Sequence, residues 1–116
     1  IGNHLARALG DGRRQLALHF PPGEDPPARA FWSLTVYGPD MFFYDHPLNR
    51  YSLGDRTPHL KRDTDGLKII IGNERPLDTS NWLPAPLGPY MLGLRIYEGR
   101  HGVVDATWFP PPLKRL

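Results

Sequence analysis

FWSLTVY, residues 31–37, decides the architecture. Trp32, Leu34 and Val36 alternate with Phe31, Ser33, Thr35 and Tyr37, and side chains two apart share one face of an extended chain. The period is that of a half-buried strand, with Trp32, Leu34 and Val36 turned toward the core. Gly38-Pro39-Asp40 then makes a tight turn and MFFYDH returns, so residues 31–46 are expected to form a β-hairpin.

The same reading extends outward. In QLALHF, residues 15–20, Leu16, Leu18 and Phe20 alternate with Gln15, Ala17 and His19. PPGEDPP places four prolines in seven residues, which removes backbone donors and fixes φ, as in an exposed extended loop. The opening NHLARALGDG is ambiguous: Leu5 and Leu9 sit at helical spacing behind an Asn3 suited to an N-cap, but the segment is short for a helix. Downstream, LKIIIG (67–72) follows a turn at Asp65-Gly66 and should point Ile69 and Ile71 inward. YMLGLRIY (90–97) groups Tyr90, Leu92, Leu94 and Ile96 on one face, and VVDATWF (103–109) reads as a last strand before three prolines. Residues 73–89 carry four prolines and read as a long irregular loop, of the kind that is functional or pinned by its own side chains.

The totals agree with this picture. The chain has 116 residues, enough for one domain with a real core, and its 14 Pro and 12 Gly are spread along it as punctuation. Six or seven short strands without a strong helix, internal repeat or linker predict a single all-β sandwich or barrel. Cysteine is absent, which excludes disulfides and Cys-based zinc sites. A net charge of +2, from 14 basic and 12 acidic residues intermixed, gives no basic stripe for nucleic acid. No apolar run approaches the roughly 20 residues of a membrane span. Ile1 in place of an initiator Met reads as a processed or truncated product, with any signal peptide or upstream domain removed.

Two segments hold the candidate chemistry. HPLNRYSLGDR, residues 46–56, brings together Asn49, Arg50, Tyr51, Asp55 and Arg56. Arg forks match carboxylates, so one arginine could hold an anionic ligand such as a carboxylate or a sulfated or uronic sugar. Alternatively Asp55 is clamped between arginines and covered by Tyr51; the segment supplies both signs of charge, which favours this structural reading. NWLPAP sets Trp82 and Asn81 on a proline-stiffened loop, either as a platform and amide for a sugar ring or as a plug at one end of the sandwich. Here too the structural reading leads.

Other chemistries find little support. His4, His19, His46, His59 and His101 show no paired spacing for a metal, and DTDG fails the pattern of a calcium loop, so neither metal nor cofactor is expected. No nucleophile motif or phosphate loop is present. Asp45, Asp55, Glu98 and Asp105 are the carboxyls available to a glycosidase, but spacing alone pairs none of them.

LHFPPG, PPARAFWSLTVY, HPLNRYSLGDRT, DTDG, NWLPAPLGPY, LRIY and WFPPPLKRL, in this order over residues 16–116, resemble the bacterial family catalogued as domain of unknown function 1214. The resemblance implies a jelly-roll-like antiparallel β-sandwich, often following a partner β-domain called domain of unknown function 1254. It implies no established activity, and it suggests a place outside the cytoplasm because members often carry secretion signals. The expectation is therefore a non-catalytic binding or assembly module that is attached to an upstream β-domain and able to form homo-oligomers. Its candidate ligand is a small anion or sugar at Asn49, Arg50, Asp55, Arg56, Asn81 and Trp82. The alternatives are a hydrolase or lyase acting on a carbohydrate or other anionic small molecule, and a purely structural role for the same residues.

Overall fold

The computed structural model describes residues 3–26, 28–40, 42–44, 46, 50–99 and 113–116. Its elements are all strands: β1 (Asn3–Asp11), β2 (Leu16–Phe20), β3 (Ala28–Tyr37), β4 (Ser52–Gly54), β5 (Leu67–Gly72), β6 (Trp82–Pro84), β7 (Pro89–Gly99) and β8 (Lys114–Arg115). They form two four-stranded sheets, ordered β1-β7-β3-β4 and β6-β5-β2-β8. The expected all-β sandwich is what the chain forms. The first sheet is antiparallel throughout, whereas the second is mixed, because β6 runs parallel to β5. Among the described residues no helix is long and apolar enough to cross a membrane.

The core lies between the sheets, where period-2 alternation places it. Trp32, Leu34 and Val36 of β3 and Tyr90, Leu92, Leu94 and Ile96 of β7 are buried from one side. Leu18 and Phe20 of β2 and Leu67, Ile69 and Ile71 of β5 are buried from the other. Phe20 and Trp32 meet across the layers with ring centroids 5.7 Å apart. Burying each large apolar side chain contributes about 1.5–3 kcal/mol, so these alternating positions dominate the stability.

Three local expectations change. The helical alternative for the N-terminal segment gives way to β1, which pairs with β7 from Asn3↔Tyr97 to Asp11↔Pro89. Its alternation was hidden because a small residue sits where β1 meets the core: a Cβ on Gly10 would stand 2.3 Å from the Tyr90 ring. Leu9, by contrast, is 83% exposed. Among the described residues, the return strand of the 31–46 hairpin is represented by one bridge, Tyr37↔Phe43. The Val36 amide instead donates to the Tyr51 carbonyl (3.1 Å) while the Val36 carbonyl accepts from Tyr44 (3.2 Å), so two segments share the edge of β3. β4 then continues the pairing opposite Ser33–Thr35. Finally, the irregular stretch 73–89 contains β6. The strand expected at 103–109 lies outside the described residues.

Candidate functional site

Arg50 joins the two candidate segments. Its guanidinium donates to the carbonyls of Thr79 and Trp82, the latter at 3.0 Å. It thereby straps the chain entering β4, an edge of the first sheet, to β6, an edge of the second. Burial pushes the Arg50 pKa down, and the nearby positive charge of Arg75 adds to this. Trp82 is 1% exposed, its indole N–H donates to the Gly72 carbonyl (3.0 Å), and His46 packs edge-on at 5.3 Å. With the indole buried, no exposed face of Trp82 is presented for a sugar ring to stack on.

Asn81 is equally engaged. Its carbonyl oxygen accepts from the Lys61 amide (2.7 Å), and its amide donates to the carbonyls of Lys61 (2.7 Å) and Lys68 (2.9 Å). The side chain thus acts as a stretch of backbone, fixing the 55–66 loop and the start of β5 against the residue that leads into β6. His59 bonds the Ser80 carbonyl through Nδ1 (2.7 Å), and Lys61 pairs with Asp78 at 3.2 Å. Hydrogen bonds from Ser80, helped by Lys61, hold the Asp78 carboxyl down to about 2.

Asp55 and Arg56 lie elsewhere. Asp55 accepts from the Trp32 amide (3.3 Å), and the Arg56 guanidinium sits 4.4 Å above the Phe31 ring. Phe31 in turn stacks on Tyr97 at 4.2 Å. The expected clamp of Asp55 between arginines does not form: among the described residues the ion pairs are Arg13–Asp11, Lys61–Asp78 and Arg62–Asp25. Tyr51 stacks on Phe43 (5.5 Å) and not over the arginines. Of the six candidates, then, Arg50, Asn81 and Trp82 converge, Asp55 and Arg56 stand apart, and Asn49 lies outside the described residues. Among the described residues no three His, Asp or Glu converge as a metal site.

A feature that sequence reasoning missed crosses the outer face of the first sheet. Leu9 of β1 opposes Met91 of β7, Met91 opposes Tyr37 of β3, Tyr37 bridges to Phe43, and Phe43 stacks on Tyr51. The register aligns an apolar band from edge to edge. Only the pairing of distant segments creates it; the local signal was no more than an apolar residue at an outward position in each.

A family profile described as "Protein of unknown function (DUF1214)" matches residues 6–101. The chain belongs to the DUF1214 family. This DUF1214 chain is similar over its whole length to the VPA0106 protein of Vibrio parahaemolyticus, with 27% identity and a TM-score of 0.85. It also shares its fold with an uncharacterised protein from Burkholderia cenocepacia, at 16% identity and a TM-score of 0.57 over 99% of the chain. It spans 31% of the Vibrio chain and 29% of the Burkholderia chain. No curated protein matches it.

Proposed function

We propose that this DUF1214 chain is a non-catalytic β-sandwich module that works by binding or assembly, normally joined to an upstream β-domain. One observation carries the reading. The polar side chains that catalysis would need are committed to the fold: Arg50 to two carbonyls, Asn81 to three backbone partners and Asp55 to a backbone amide. A catalytic pair needs convergent titratable groups in an open cleft. The engaged groups meet backbone instead. A jelly-roll-like winding, self-association and an extracytoplasmic location belong to the same proposal and rest on the family resemblance.

The test is an activity screen of the purified protein against chromogenic glycosides, esters and uronate polymers, run beside Asp55→Asn. The isosteric amide keeps an oxygen for the Trp32 amide and removes the charge. The expected result is no turnover in either protein. Saturable turnover that disappears in Asp55→Asn at unchanged melting temperature would establish the hydrolase or lyase alternative and overturn the proposal.

A further inference from the structure

The outer face of a sandwich sheet is ordinarily polar, because it meets water on alternate residues. Here the row Leu9–Met91–Tyr37–Phe43–Tyr51 breaks that rule. Leu9 is 83% exposed, Phe43 56% and Tyr51 39%, while Tyr37 and Met91 are half-buried. Neighbouring strands lie about 4.8 Å apart, so a row across the sheet and its flanking segment extends for roughly 20 Å. Phe42, beside it in sequence, is 73% exposed.

The band is also built to stay in place. Arg95 donates to the Tyr37 hydroxyl (3.1 Å), which fixes that ring, and Tyr37, Phe43 and Tyr51 follow in series with centroids 5.5 Å apart at each step, the first pair tilted and the second stacked. Rings already ordered lose little further freedom on docking. Tyr, Phe and Met with an Arg alongside is the composition that interface centres favour. At the β1 end the band runs into an open cleft of about 470 Å³ that Leu9 lines together with Arg14, Leu16 and Leu113; an incoming side chain has a recess there.

The occupant follows from the comparisons. In both solved structures of this fold the matched domain is under a third of the chain, so more than two-thirds of each polypeptide lies outside it. A covalently joined neighbour acts at high effective concentration and can use a face too small to recruit a free partner. We infer that the Leu9–Met91–Tyr37–Phe43–Tyr51 band is the docking face for a neighbouring domain of the same polypeptide. The inference deepens the assembly part of the proposed function and rests on it.

Hydroxyl-radical footprinting of the complete gene product tests this, at a concentration where light scattering finds monomer. With each rate divided by the intrinsic reactivity of its side-chain type, Leu9, Phe43 and Tyr51 should be protected like buried Leu34 and not open like exposed Leu77 and Leu87. Oxidation at the exposed rate would leave the band open and overturn the inference. Protection that appears only as the protein dimerises would assign the face to a second copy, which also overturns it. These readings are independent of the activity screen. Turnover would defeat the non-catalytic reading and leave the footprint unchanged; an open band would defeat docking and leave the screen silent.

Discussion

Replacing Arg50 by Ala removes both hydrogen bonds that tie the two sheet edges together. A hydrogen bond from a charged donor contributes about 1.5–3 kcal/mol, and the side chain is only partly buried, so water can reclaim part of the loss. The expected cost is about 2–4 kcal/mol. For a domain of this size one kcal/mol corresponds to about 4 °C, which puts the fall in melting temperature at about 8–16 °C. Thermal unfolding followed by circular dichroism, with urea titration at pH 7, measures it; the urea midpoint should drop at unchanged slope. Arg50→Lys, which can reach one carbonyl as a point charge, should fall between. Arg56→Ala is the internal control, since a cation–π contact at an accessible site contributes about 0.5–1 kcal/mol. An Arg50→Ala loss no larger than that of Arg56→Ala would refute the strap and free Arg50 for a ligand.

Three further outcomes are expected. Asn81→Ala, which orphans the Lys61 amide and the carbonyls of Lys61 and Lys68, should cost about 1–3 kcal/mol in urea titration. The Tyr90 hydroxyl is buried without a partner, and burial, with the charge of Asp11, pushes its pKa up to about 12. Because the folded value lies above the unfolded one near 10, its stability contribution is complete below pH 10 and lost as pH rises to 12, by on the order of 2 kcal/mol in all. Tyr90→Phe should flatten that alkaline slope and stabilise the protein by about 1 kcal/mol at pH 7, read by melting temperature across the range. Gly66→Ala combines a φ of +105° with a Cβ 2.2 Å from the Phe20 carbonyl oxygen, and should cost more than about 2 kcal/mol in the same urea assay.

What could be read in the sequence was what depends on neighbours two residues apart. The alternation in 15–20, 31–37, 67–72 and 90–97 named most of the core, because a strand with one buried face must repeat at that period. β1 escaped because its large residue at position 9 faces outward and its glycine at position 10 makes room for Tyr90. β6 escaped because three residues ending in a proline carry no period; its partners, Ile70–Gly72, lie twelve residues away in each pair. The candidate site divided for the same reason. That Arg50 and Asp55 had partners was legible in the chemistry of the segment. Which partners they take was not: backbone carbonyls and amides are identical at every position and leave no mark in the sequence.

The Arg50 strap has a consequence for how the domain behaves in a crowded solution. β6 is the last strand of its sheet, and an open strand edge is a template for pairing with a foreign chain. The Trp82 amide donates to the Thr79 carbonyl, the Trp82 carbonyl is taken by Arg50, and Pro84 has no N–H to offer. At Trp82, therefore, both ladder groups of this edge are spent, and Pro84 presents a carbonyl but no donor. Loss of Arg50 would unfold the domain more readily and also reopen a growth point for aggregation, so its conservative replacements should be judged by solubility as much as by melting temperature.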